Sequence, residues 1–125
     1  MNTQTLANRA YSQIARSTQT PRRAEYDLFA RITHRIKTQA EAGPSAYPGL
    51  VAALSDNQKL WTTLAVDVVD HENGLPSELR AQIFYLAEFV HQHTSKVLAK
   101  KARIKPLLEI NAAIMRGLGE RRTNE

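Results

Sequence analysis

Proline and glycine divide this 125-residue chain into segments, and each segment between them has the apolar spacing of a helix. The dividing positions are residues 20–21, 42–49, 73–76 and 105–106, and two further glycines stand near the end of the chain at 117 and 119. Between them apolar side chains recur every three or four residues, and no stretch shows the strict alternation that is typical of a strand. The sequence therefore predicts an all-α fold, a single-domain helical bundle of about five helices with short connections. We assign residues 1–118 to this domain and residues 119–125 to a disordered tail.

The predicted helices differ in how clearly their ends are marked. A first helix over residues 4–17 rests on apolar spacing alone. The second begins at Pro21, because the missing N–H of proline is harmless at the first position of a helix, and Gly43 supplies its stop. The last helix begins at Pro106 for the same reason as the second.

The only tryptophan, Trp61, lies in a segment with strong local signals. Ser55 followed by Gln58 has the spacing of a capping box and predicts that a helix begins there. A short turn of helix over residues 48–54 is expected to precede it, and residues 73–74, Asn-Gly, are expected to end it. The apolar stripe that contains Trp61 is wide enough to face a core.

A further helix is predicted to begin near Pro76, and its apolar face is broader than one packing partner requires. Phe84, Tyr85 and Phe89 lie on a flank of that face. Together with Trp61 they either complete the core or line a groove that receives an amphipathic helix from a partner. We interpret Trp61 chiefly as a core residue beneath or beside such a groove, and leave both roles open for the cluster.

The positive charge is concentrated at the two ends of the chain. The net charge is +5. Residues 1–40 contain seven Lys/Arg and two Asp/Glu, residues 41–95 contain two and seven, and residues 96–125 contain eight and three. We expect the acidic middle to pair with the basic ends on folding, which leaves less free positive potential than the total suggests.

Composition also limits the cellular setting. The chain has no cysteine, so disulfides and thiolate metal sites are excluded. Its amino end has no apolar core of a secretory signal, and no apolar run approaches the ~20 residues of a membrane helix. We expect a soluble, cytoplasmic protein.

No arrangement of side chains predicts catalysis. His91 and His93 are two residues apart, so on a helix they face different sides and do not suit one metal ion; the register turns His93 inward. Asp67 and Asp70 share a helix face but have no predicted cleft or nucleophile beside them. We expect a protein that is not an enzyme and has no catalytic residues, cofactor or metal.

An RNA-binding surface is the alternative that the basic segments leave open. The residues concerned are Arg22, Arg23, Lys100, Lys101 and Arg103. Aromatic residues do not alternate with these charges as a base-stacking surface requires, so solvated helix ends are the favoured interpretation.

Four blocks in fixed order connect the chain to a known family. They are "TPRRAEYDLFARIT", "ALSDNQKLWTTLAVDV", "NGLPSELRAQIFYLAEFVHQHTSKV" and "LLEINAAIMRGL". From about Leu6 to Leu118 the sequence resembles the FlaF family of flagellar biosynthesis regulators. It departs from the family pattern at Asp56, where a bulky residue usually precedes the asparagine.

The resemblance implies a cytoplasmic regulator or secretion chaperone that couples flagellin synthesis to export. The implied partners are flagellin, bound through an amphipathic terminal helix, and the regulator FlbT, which acts on flagellin messenger RNA. The alternative is direct, post-transcriptional regulation of that messenger RNA by the protein itself.

The resemblance also selects polar residues that a core does not demand. They are Arg22, Glu25, Arg80 and Asn111. We expect these side chains either to specify partners or to pin helices together.

Overall fold

The computed structural model describes residues 21–124, with side chains described over residues 25–116. Within this part the chain forms four α-helices and one 3-10 turn, and no strand: α1 Pro21–Glu41, the 3-10 turn Pro44–Ala46, α2 Tyr47–Val69, α3 Ser77–Leu98 and α4 Lys105–Asn124. The predicted all-α bundle is confirmed. The helix predicted over residues 4–17 lies outside the described residues.

Helix α2 is continuous across the point where the sequence predicts a new helix. The capping-box interpretation of Ser55 and Gln58 is therefore wrong, because both residues lie in the helix interior. Ala53 and Leu54 are fully buried, so the segment before Ser55 belongs to the same packed stripe as the segment after it. Packing of that stripe against α1 outweighs a local capping signal.

Helix α2 occupies the centre of the bundle. It packs against α1 on one side and α3 on the other, while α4 packs mainly on α1 and only lightly on α3. Phe29 and Trp61 meet edge to face with their ring centroids 5.7 Å apart, which joins α1 to α2. The largest fully buried apolar side chains are Trp61, Phe29, Ile36, Leu54, Leu107 and Val90.

The connection between α2 and α3 is held by its own side chains. Helix α2 ends at Val69, earlier than the predicted stop at residues 73–74, because Asp70 adopts an extended backbone. Asp70 Oδ1 accepts a hydrogen bond from the backbone N–H of Glu72, and Asn73 donates through Nδ2 to the carbonyl of Asp67, both at 2.9 Å. Such Asx contacts fix a turn without help from the core. Helix α3 then starts directly after Pro76, as predicted.

The connection between α3 and α4 is a basic turn. Lys101 N donates to the carbonyl of Lys96 and Lys100 N donates to the carbonyl of Val97, which is the paired pattern of a Schellman motif. Lys100 occupies the left-handed position of that motif with a φ of 62°. Helix α4 begins at Lys105, next to the predicted Pro106.

The last helix extends further than the sequence predicts. Its backbone continues to Asn124, so it covers most of residues 119–125, where the sequence predicts a disordered tail. No proline follows Pro106, and the glycines at 117 and 119 lower the helix propensity by roughly 1 kcal/mol each without ending the helix.

Candidate functional site

A cluster of polar side chains lies inside the bundle where α1, α2 and α4 meet. Asn111 of α4 is fully buried. Its Oδ1 accepts a hydrogen bond from Trp61 Nε1 at 2.9 Å, and its Nδ2 donates to Thr33 Oγ1 at 3.0 Å and to Asn57 Oδ1 at 2.8 Å. One side-chain amide thus bridges three helices. We refer to these four residues as the Asn111 cluster.

Asn111 was predicted to specify a partner or to pin helices together, and its hydrogen bonds join α4 to α1 and α2. Asn57 was missed as a core residue, although the spacing indicates it: Asn57 and Trp61 are four residues apart and share one face of α2. Asn57 is fully buried, and its Nδ2 has no hydrogen-bond partner among the described residues. The cluster is therefore satisfied around Asn111 and incomplete at Asn57.

Arg80 holds the carboxyl end of α2. Its Nε donates to the carbonyl of Val68 at 2.7 Å and its Nη2 to the carbonyl of Asp70 at 3.2 Å. The last carbonyls of a helix have no partner within the helix and carry partial negative charge, so a guanidinium suits them. Glu25 is half-buried near the start of α1. The Arg22 side chain lies outside those described.

An open apolar groove lies on the surface of the α2–α3 pair, and its lining comes from these two helices alone. Its volume is about 380 Å³. The lining residues are Thr62, Ala65, Val66, Val69, Phe84, Ala87, Glu88, His91 and Gln92. Val66 is 61% exposed, Val69 58% and Phe84 39%. We call this surface the α2–α3 groove.

The four candidate aromatic residues do not form one cluster. Phe84 lines the α2–α3 groove, whereas Tyr85 is 68% exposed and lies outside its lining. Trp61 is 1% exposed and faces α1 and α4. Phe89 is half-buried and stacks on His93 with centroids 5.3 Å apart. Of the four, the structure brings only Phe84 to the groove.

The two histidines of α3 lie on different sides of the helix, as the register predicts. His91 lines the α2–α3 groove, where its Nδ1 lies 3.4 Å from Gln58 Nε2. His93 is half-buried, and its Nε2–H donates to the carbonyl of Arg103 at 2.6 Å. This contact ties α3 to the basic turn.

Charges around the α2–α3 groove are separated along its length. Asp67, Asp70 and Glu72 are exposed at the end next to the α2–α3 connection, and Glu88 stands in the wall. Lys59, three residues before Thr62, is exposed toward the opposite end. The groove therefore has an acidic end and a basic end.

Cations also gather in the turn that follows α3. Lys100, Lys101 and Arg103 are all exposed there. Lys100 Nζ lies 5.7 Å from the centroid of the Tyr47 ring, which places this turn beside the start of α2.

Two features are absent from the described part of the chain. Between residues 21 and 124 no helix is long and apolar enough to cross a membrane. Among the side chains described, no group of three or more His, Cys, Asp or Glu is placed to hold a metal ion.

Comparison with known proteins adds one finding. The family model described as flagellar protein FlaF matches residues 7–118, a range that contains the Asn111 cluster, the α2–α3 groove and the basic turn. No curated protein and no solved structure matches the chain significantly. Since the match covers most of the sequence, the chain belongs to the FlaF family of flagellar proteins.

Proposed function

We propose that this flagellar protein is a cytoplasmic, non-enzymatic chaperone that binds flagellin through the α2–α3 groove and couples its synthesis to export. The carrying observation is the exposure of Val66, Val69 and Phe84 side by side on two packed helices. Contiguous apolar surface of this kind marks a site of interaction. The regulator FlbT, implied by the family resemblance, is a second expected partner.

The shape of the groove suits one face of a helix. It is open along two packed helices, and its lining is mainly small and apolar, with Ala65 and Ala87 between the larger side chains. An amphipathic helix binds such a surface with anchors at positions i, i+3, i+4 and i+7. Flagellin, as the proposed client, presents an amphipathic terminal helix.

The size of the groove points to moderate affinity. Burial of an apolar side chain contributes roughly 1.5–3 kcal/mol, and association costs at least ~4 kcal/mol. Three or four anchors in a groove of about 380 Å³ therefore leave at most ~8 kcal/mol of net binding free energy, which corresponds to a dissociation constant of about micromolar or weaker. Such an affinity suits a chaperone, because the client must be released at the export gate.

The experiment that tests this proposal compares two adjacent aromatic residues. Monomeric flagellin is titrated into the full-length protein, its Phe84→Ser variant and its Tyr85→Ser variant, with binding followed by calorimetry. We expect the Phe84→Ser change to weaken binding by about tenfold or more, because one anchor is worth ~1.5 kcal/mol or more. Tyr85→Ser removes a more exposed aromatic residue outside the groove lining and is expected to change binding by less than about twofold.

Two outcomes would contradict the proposal. If wild-type protein does not bind flagellin even at high micromolar concentration, flagellin is not the client. If wild-type protein binds flagellin and both serine variants bind it equally tightly, the binding site lies elsewhere. Thermal unfolding of each variant serves as the folding control.

Direct binding of flagellin messenger RNA is the second candidate, and the basic turn favours it. Lys100, Lys101 and Arg103 are exposed within four residues of one another. Binding through them predicts an affinity that falls steeply with salt, because neutralised phosphates release counterions. A triple alanine variant at these positions should lose RNA binding and keep flagellin binding. A flat salt response, or no RNA binding, would exclude this candidate.

A further inference from the structure

The α2–α3 groove has charges of opposite sign at its two ends, and this arrangement bears on how a helix lies in it. The end next to the α2–α3 connection, which we call the loop end, carries Asp70, four residues after the lining residue Val66, and Glu72, both exposed. Glu88 lies in the groove wall. Arg80 is also at this end, but it is half-buried and its guanidinium donates to two helix carbonyls. The loop end is therefore acidic.

The opposite end, which we call the lysine end, carries two exposed cations. Lys59 precedes the lining residue Thr62 by three positions, and Lys96 follows the lining residue Gln92 by four. Residues three or four apart share a helix face, so both lysines continue the rows that line the groove. On α2 the residue three positions before Lys59 is Asp56, whose carboxylate is paired with Arg35 Nη1 at 2.8 Å. On α3 the nearest acid in the row is Glu88, two turns before Lys96.

The two ends are far enough apart to act separately. Lys59 and Asp70 are eleven residues apart on α2 and its cap, which at 1.5 Å per residue corresponds to roughly 16 Å. The Debye length at physiological ionic strength is about 8 Å. Each end therefore interacts with the part of the client that lies over it, and a client of about three helical turns reaches both.

We propose that the α2–α3 groove fixes the direction of the helix it binds: the end of the client that carries basic side chains lies over the loop end, and the end that carries acidic side chains lies over Lys59 and Lys96. This inference rests on the proposed function, since it concerns the same groove. It defines the client as an amphipathic helix whose charges are segregated along its axis. Apolar anchors supply the affinity, and the charges select one of two directions.

The direct test uses two designed peptides of about 15 residues with the same composition. Both have the same leucine stripe; one carries lysines in its first turn and glutamates in its last, and the other has the two turns exchanged. Each peptide is spin-labelled at its amino end and added to the isotope-labelled full-length protein. We expect the label to broaden the amide signals of residues 70–75 with the first peptide and those around Lys96 with the second.

A matched pair of variants shows whether the named lysines are responsible. The double variant Lys59→Glu, Lys96→Glu should lose the directional difference, with each peptide broadening both ends. The control, Arg31→Glu, Lys37→Glu, makes the same change in net charge at two exposed residues of α1, a helix that gives no residue to the groove lining, and should keep the directional difference. Raising the salt to about 0.5 M should reduce the difference in direction between the two peptides on the wild-type protein, because salt screens the charges at both ends of the groove.

The outcomes separate this inference from the proposed function. If both peptides broaden the same end, the direction is set by something other than charge and the inference is overturned, while flagellin binding stands or falls on its own titration. If neither peptide binds, or if the groove signals shift with protein concentration because a second copy occupies it, the inference is overturned as well. If the two peptides bind in opposite directions, the inference is supported even if the natural client is not flagellin.

Discussion

Each of the two faces of α2 carries side chains that are unusual for its surroundings. The inward face holds Asn57 and the indole N–H of Trp61, sealed between α1 and α4. The outward face holds Val66 and Val69, each more than half exposed. A helix of a self-contained bundle normally places its amides outside and its valines inside.

This difference teaches that the two faces serve different purposes. Buried hydrogen bonds are formed together only when α1, α2 and α4 take one relative position, so the Asn111 cluster selects a single packing arrangement. The exposed valines contribute little to folding and leave a surface for a partner. Changes on the inward face should therefore alter stability, and changes on the outward face should alter binding.

The largest effect on stability is expected from Asn111→Ala. The change leaves the Trp61 indole N–H without an acceptor and removes the donor to Thr33 and Asn57. An unsatisfied buried polar group costs roughly 1–3 kcal/mol, so the free energy of unfolding should fall by about 3 kcal/mol. Chemical denaturation followed by circular dichroism measures this loss.

Asn57→Ala provides the matched comparison for that change. Asn57 is equally buried but makes one hydrogen bond in the cluster, and its Nδ2 is already unpaired within the described structure. Its replacement should therefore cost less than the Asn111 change, by about 1 kcal/mol or more. Equal losses at the two positions would show that cavity formation, and not the hydrogen bonds, accounts for both.

The Asn111 cluster also shows how far the sequence alone could lead. The positions of Pro21, Pro76 and Pro106 locate three helix starts, because a proline acts on its own neighbours. The capping signal at Ser55 misleads for the opposite reason: the outcome depends on packing of α2 against α1, which no local pattern encodes. Asn111 was selected as a residue that pins helices or specifies partners, and only the structure pairs it with Trp61, fifty positions away.

The sequence indicated surplus apolar surface on α3, but of the aromatic residues named for a groove only Phe84 lines it. Apolar spacing on one helix does not tell which side of it an adjacent helix covers. Phe89 was therefore predicted to belong with Phe84, whereas in the structure it stacks on His93. The sequence did not predict that Val66 and Val69 line the groove, because their exposure depends on how α3 sits against α2.

A smaller effect on stability is expected from Arg80→Ala, which acts on the end of α2 where the two faces meet. The change removes two hydrogen bonds to the carbonyls of Val68 and Asp70. Because the side chain is half-buried and water can reach part of the site, we expect a loss of about 1 kcal/mol. The same denaturation experiment measures it. Arg80→Lys is the control, and full recovery by lysine would contradict a role for the forked guanidinium.

Lys100 lies in the turn after α3, outside both faces of α2, and Lys100→Gly is expected to stabilise the protein slightly. Lys100 has a φ of 62°, a conformation that costs a non-glycine residue roughly 1–2 kcal/mol. Loss of the exposed contact with the Tyr47 ring removes about 0.5 kcal/mol of that gain. We expect a net increase in unfolding free energy of about 0.5–1.5 kcal/mol. Lys101→Gly, in the same turn but without positive φ, should not stabilise, and a gain there would contradict the explanation.

The smallest effect on stability is expected from the double variant Val66→Ser, Val69→Ser, which tests the comparison most directly. Both side chains are already exposed, so the unfolding free energy should change by less than about 1 kcal/mol in total. Val68→Ser, on the buried face between them, should cost about 2 kcal/mol or more, because it places an unpaired hydroxyl in the core. The same double variant should weaken flagellin binding in calorimetry, since it removes two apolar anchors from the groove. If it instead destabilised the protein as much as Val68→Ser, the outward face of α2 would belong to the core, and the separation of folding from binding on which the proposed function depends would not hold.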